Sequence, residues 1–212
     1  MSKNLLIIFV KNIKLGKVKT RLAKTIGNEN AFEIYKELVK ITEDVTEKLT
    51  IDKRIYFSDT IIDSKWQNHT KKIQKGIDLG ERMKNAFLEG FEEGYENIIL
   101  IGSDLPDISL EVITKGYENL QKNEIVFGPA EDGGYYLLGL SKMINTIFDN
   151  KPWSQSNLLK VTLQELKTTQ EKISFLQELN DIDTIEDLLK SDFYKNNIHI
   201  QKLTKNDETT TT

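Results

Sequence analysis

Apolar residues follow two rhythms along this chain. Leu5-Leu6-Ile7-Ile8-Phe9-Val10 is an unbroken run, the pattern of a strand buried on both faces in a parallel sheet. Residues 54–58, 98–102, 125–127, 135–140 and 173–175 read as further strands, with a short one at 72–74. Elsewhere the rhythm is helical. Ala31, Tyr35, Leu38, Thr42, Val45 and Leu49 share one stripe, Leu79, Met83, Phe87 and Phe91 a second, and Leu110, Ile113, Tyr117 and Leu120 a third. Asp78 and Glu81 have the capping-box spacing, and Ser109 stands where the third helix needs a cap. Helices at 155–166 and 184–190 complete the set. The order β-α-β-β-α-β-α-β-β-α-β-α predicts an α/β fold of three α/β/α layers, Rossmann-like, around a mostly parallel sheet. Gly133-Gly134 joins two strands across a gap too short for a parallel crossover, which predicts one antiparallel strand.

Length and charge narrow the reading. The 212 residues suit one large domain, expected over 1–203, with a polar tail at 204–212 that ends in four Thr and is expected to be disordered. A net charge of −4 gives nucleic-acid binding no support. The absence of Cys excludes thiolate catalysis, disulfides and Cys-based zinc sites, and two His cannot build a multi-His metal site. A hard cation held by carboxylates is still compatible with this composition. The first apolar run, six residues, is too short for a membrane span or a leader core, so a cytoplasmic protein with no membrane partner is expected.

Five segments carry candidate chemistry. The stretch from Lys11 to Leu22 holds four Lys and one of only three Arg, at the carboxyl end of the first strand, where doubly wound sheets bind ligands. Gly16 there would let backbone approach a phosphate, although a solvated basic loop explains the same residues. Gly102-Ser103-Asp104-Leu105-Pro106 follows a buried strand and suits a metal-binding carboxylate, or simply a turn. Asp132-Gly133-Gly134-Tyr135 forms a tight turn or an amide nest for an anion. Ser154 and Ser156 precede a helix and fit either anion binding or N-capping. Asp183 fits a second metal ligand, an N-cap paired with Glu186, or both.

Taken together and in order, these motifs resemble the nucleotide-diphospho-sugar transferase superfamily with its GT-A-like fold. Lys-Thr-Arg-Leu, Gly-Ser-Asp-Leu-Pro, Gly-Pro-Ala-Glu-Asp-Gly-Gly-Tyr-Tyr, Trp-Ser-Gln-Ser and Asp-x-Asp-Thr-x-x-Asp-Leu look most like the radical-SAM/selenodomain-associated transferase family, over roughly residues 4 to 190. The phospholactate and phosphoenolpyruvate guanylyltransferases are more distantly similar. The resemblance implies a transferase that uses Mg²⁺ or Mn²⁺. Lys11, Gly16, Lys19, Arg21, Gly80 and Ser103 would contact the nucleotide, with Lys19, Arg21 and Asp104 catalytic. Asp104 and Asp183 would hold the metal. Asp132, Gly133, Gly134, Tyr135, Ser154 and Ser156 would line the acceptor pocket. The Gly pair that sugar nucleotidyltransferases carry in the first loop is missing, as is a strict Asp-x-Asp at Asp104. The expected reaction is nucleotidyl transfer from a nucleoside triphosphate to a small phosphorylated acceptor, by a monomer or homodimer. Glycosyl transfer from a nucleotide sugar is the alternative, and a non-catalytic nucleotide-binding module a third.

Overall fold

The computed structural model describes residues 3–204. From 205 onward the polar tail lies outside the described residues. Seven strands form one sheet in the order β3-β2-β1-β4-β6-β5-β7. They are β1 (Asn4–Val10), β2 (Asp52–Phe57), β3 (Thr70–Ile73), β4 (Asn97–Ile101), β5 (Ile125–Pro129), β6 (Tyr135–Leu140) and β7 (Ile173–Phe175). All pairings are parallel except those of β6, which runs antiparallel to both β4 and β5. The Gly133-Gly134 turn thus makes the one hairpin that the short connection required.

The unbroken apolar runs are explained by burial on both faces. In β1, Leu6, Ile8 and Val10 point to one core, while Leu5, Ile7 and Phe9 point to the other. Each such side chain stabilises the fold by about 1.5–3 kcal/mol relative to exposure. Helices α2 (Asn28–Thr46) and α4 (Leu110–Leu120) cover the first face with Tyr35, Val39, Ile113 and Tyr117. Helices α3 (Leu79–Glu92) and α5 (Leu158–Leu166) cover the second with Met83, Phe87 and Leu166. A third cluster lies outside the sheet. There Leu22 of α1 (Thr20–Ile26), Ile34 and Leu38 of α2, Leu188 of α6 (Ile185–Lys190) and Ile200 of α8 (Ile198–Leu203) pack together, with α7 (Asp192–Lys195) linking the last two helices.

Local chemistry sets the element ends. The Asp78 carboxylate accepts from Glu81 N–H, and the Glu81 carboxylate accepts from Ile77 N–H, one residue before the position a strict capping box uses. Ser109 caps α4 by accepting from Val112 N–H. Two helix starts differ from expectation. Helix α5 begins at Leu158, so neither Ser154 nor Ser156 caps it; the residue before it, Asn157, has no side-chain cap bond. At α6 the cap is Thr184, in a capping box with Asp187, and not Asp183 with Glu186. Helix α1 lies inside the stretch read as a basic loop. It buries only Leu22 and Ile26, too few positions to establish a periodicity.

Candidate active site

Strands β1 and β4 are neighbours whose following segments leave the same edge of the sheet. Their carboxyl ends form the crevice where open α/β sheets take ligands. Asn12 holds the loop after β1 in place. It is buried, and its amide accepts from Asp59 N–H and Thr60 N–H and donates to the Thr60 carbonyl, tying this loop to the end of β2. The chain then enters α1 through Lys19, which adopts left-handed backbone at φ 47°. Only Gly, Asn or Asp visits that region cheaply, so the loop spends conformational strain on placing this lysine.

The Lys19 side chain is 3% exposed, and its ammonium donates to Asp104 Oδ2 at 2.9 Å and to Asp183 Oδ1 at 3.1 Å. Asp104 is carried by the turn after β4. Ser103 beside it is buried with its hydroxyl 3.2 Å from that of Tyr35, whose O–H also donates to the Lys11 carbonyl. Those contacts clamp the ends of β1 and β4 to α2. Asp181 and Asp183 arrive from the opposite side. Beyond β7 the chain continues along β5, where Leu179 pairs with Ala130 and Glu131. Buried Ile182 then anchors it to the outer cluster. Because Thr184 and Asp187 cap α6, the Asp183 carboxylate is left to face Lys19 and, at 3.5 Å, the exposed Arg21 guanidinium.

Asp104, Asp181 and Asp183 each offer an oxygen within 4.8 Å of the others. The electrostatics follow from this crowding. Burial disfavours the Lys19 ammonium, but Asp104 and Asp183 outweigh it and hold its pKa above the ordinary lysine value. Burial likewise penalises the Asp104 carboxylate, and Lys19 overcomes that and holds it low. Asp181 has no such partner. Burial and the nearby Asp104 charge push its carboxyl up to about 7. Three carboxylates converging where one ammonium cannot satisfy all of them is a donor set that fits a hard divalent cation such as Mg²⁺ or Mn²⁺. Asp181 extends the expected pair of ligands. Its signal was in the sequence, since residues two apart on an extended segment share a side.

Beside the carboxylates lies a cavity of about 240 Å³. Phe9, Leu79, Met83, Leu100, Leu138, Tyr135, Trp153 and Leu158 form its apolar walls, with Asp104, Asp132 and Asp181 at the polar end. Gly80 shapes it from behind, where a Cβ would lie 2.4 Å from the Trp153 ring. Gly133, at φ 86°, would place a Cβ 1.9 Å from the Ser156 carbonyl oxygen, so the β5–β6 turn packs directly on the 153–157 loop. Asp132 is exposed, lines the cavity and accepts from Gly134 N–H, and Ser154 lines the cavity with left-handed backbone. Ser156 is exposed and outside the lining, and Gly16 makes no contact with the carboxylate cluster in the described residues. The apolar walls escaped the sequence reading because Phe9, Met83 and Leu138 are indistinguishable there from core.

Comparison with known proteins agrees with this architecture. A family model described as uncharacterized protein conserved in bacteria (DUF2064) matches residues 41–155. A crystal structure from Desulfovibrio desulfuricans G20, described as a candidate nucleotide-diphospho-sugar transferase, superposes with a TM-score of 0.85 at 32% identity, covering 96% of this chain and 99% of that one. A cytidylyltransferase from Leptospira borgpetersenii shares the fold at 16% identity, with a TM-score of 0.56 over 92% of this chain and 88% of its own. So does Rv0371c from Mycobacterium tuberculosis H37Rv in complex with manganese, at 11% identity and a TM-score of 0.54 over 88% of this chain and 96% of its own. No curated protein matches the chain.

Proposed function

The chain belongs to the DUF2064 family of bacterial proteins, and from that premise we propose that it is a metal-dependent nucleotidyltransferase. The observation that carries the reading is the convergence of Asp104, Asp181 and Asp183 on buried Lys19 at the carboxyl ends of β1 and β4. A divalent cation held by these carboxylates would neutralise phosphate charge. Lys11 and Arg21, on the loop and helix that flank the cluster, would hold the triphosphate. Lys19, fixed between two carboxylates, would keep them aligned and present positive charge where the transferred phosphoryl group gains negative charge. Such chemistry needs positioning and charge neutralisation more than a protein nucleophile, which suits a chain without Cys. The fold likeness to a cytidylyltransferase and to a manganese-bound protein supports the same reading. We place the reaction in the cytoplasm, in keeping with the absence of Cys.

Glycosyl transfer is the second reading, favoured by the description of the Desulfovibrio desulfuricans protein as a candidate nucleotide-diphospho-sugar transferase. One assay separates the two. Incubation with Mn²⁺, each nucleoside triphosphate and an acceptor mixture should release pyrophosphate. Release of a nucleoside diphosphate from nucleotide sugars, with no pyrophosphate from any triphosphate, would overturn nucleotidyl transfer.

A further inference from the structure

The cavity beside the carboxylates has a chemistry of its own. It is walled by Phe9, Met83, Leu100, Leu138 and Trp153, and no lysine or arginine is among its lining residues. Its charged members are Asp104, Asp132 and Asp181 alone. The Tyr135 hydroxyl, on another lining residue, is buried without a hydrogen-bond partner among the described residues. Apolar cavities of about 150 Å³ already take benzene, and this one is larger.

We infer that the acceptor bound here carries an apolar body and a hydroxyl or primary amine head, not a phosphate. The inference rests on the nucleotidyl-transfer reading and fixes the acceptor class for the same site. Charge balance supports it. A divalent cation and the Lys19 ammonium together match Asp104, Asp181 and Asp183, and Lys11 and Arg21 are then committed to the triphosphate. An acceptor phosphate would therefore meet Asp132, the neutral Ser154 and Gln155 side chains and apolar walls, a charge with no cationic partner. A donor head instead finds the Asp132 oxygen that Gly134 N–H leaves free. In the reaction, the acceptor O–H or N–H attacks the α-phosphorus and a new P–O or P–N bond forms. The bond to the β-phosphate oxygen breaks, pyrophosphate leaves with that electron pair, and the acceptor proton passes to Asp132.

Benzyl alcohol, benzylamine and benzyl phosphate form a matched set that tests the assignment. Each is titrated into the full chain while tryptophan emission is followed, in EDTA and again with Mg²⁺ and CTP. Trp153→Phe identifies the signal from the cavity, since the other tryptophan, Trp66, is buried in the opposite core. The alcohol or the amine should bind at least tenfold more tightly than the phosphate, and the response should vanish in Trp153→Phe. Leu79→Lys puts a cation on a part-exposed lining position and should narrow or reverse that preference. A phosphate preference in the unmodified chain, a difference below tenfold, or no saturable binding of alcohol and amine would overturn the inference. Thermal shift with Mg²⁺ and CTP, run alongside, reads nucleotide binding separately, so failure of the nucleotide reading is distinguishable from failure of the acceptor class.

Discussion

At the residue scale the site is a conflict of charges held in place by packing. Asp181 is where the conflict is worst, because Lys19 engages Asp104 and Asp183 instead. The folded chain keeps the Asp181 proton up to about 7, while an unfolded chain releases it near 3.8. Unfolding therefore sheds a proton in that window, and this group costs stability increasingly as pH rises through it. Asp181→Asn should thus raise the melting temperature of the metal-free protein at pH 8 by several degrees, the yield of about 1 kcal/mol or more at 2–4 °C per kcal/mol. The same variant should lose most of the melting-temperature gain that Mn²⁺ gives the unmodified chain. An apo melting temperature that falls, with the Mn²⁺ response intact, would remove Asp181 from the cluster. Gly80→Ala probes the other side of the site. Its methyl group would collide with the Trp153 indole, so acceptor KM should rise several-fold while nucleotide binding, read by thermal shift, is unchanged.

At the element scale the capping box of α6 separates two roles that the sequence left joined. Asp183 and Thr184 are adjacent and both are good caps by residue type. The choice between them depends on which side chain the turn aims at the helix, and spacing alone does not contain that. The structure gives the cap to Thr184 with Asp187. Thr184→Ala should cost about 1 kcal/mol of stability and leave turnover within a few-fold. Asp183→Asn should keep the melting temperature and lower turnover by at least a hundredfold; the opposite pattern in urea melts and pyrophosphate assays would return the cap to Asp183. The strands and the hairpin were legible because doubly buried apolar runs and a two-glycine turn admit few alternatives; the order of the strands within the sheet was not, since the pattern along the chain does not say which strands are neighbours. Helices α1, α7 and α8 were not legible. They are four to seven residues long and bury two side chains or fewer each, which leaves no period to read. The basic loop and Asp104 were found from their places after β1 and β4. The cavity walls were not, since an apolar residue lining a ligand site and one filling a core obey the same pattern.

At the scale of the whole molecule, the carboxylate cluster joins parts of the chain far apart in sequence. Asp104 belongs to the sheet through β4. Asp181 and Asp183 belong to the terminal segment, which reaches the sheet at the Leu179 bridge and the outer helices through Ile182, Leu188 and Ile200. A cation bound by all three would therefore stitch the terminal segment to the sheet. Ligand linkage sets the size of the effect: at a metal concentration a hundredfold above Kd the folded state gains about 2.7 kcal/mol, or roughly 5–10 °C for a chain of this length. The gain should be concentrated. In hydrogen exchange, amides of 182–203 should slow markedly on adding Mn²⁺, while those of β1 and β2, already limited by global unfolding, should slow only by the global amount. Ile200→Ala gives the converse test. Truncating this fully buried side chain should cost about 2–5 kcal/mol. It should also loosen 182–203 in EDTA, and Mn²⁺ should restore part of that protection because the cation holds the same segment from its other end. Restoration by Mn²⁺ in Ile200→Ala but not in Ile200→Ala combined with Asp104→Asn would establish that the metal acts across the join. Equal restoration in both would mean that the cation binds within the terminal segment alone, leaving Asp104 to Lys19.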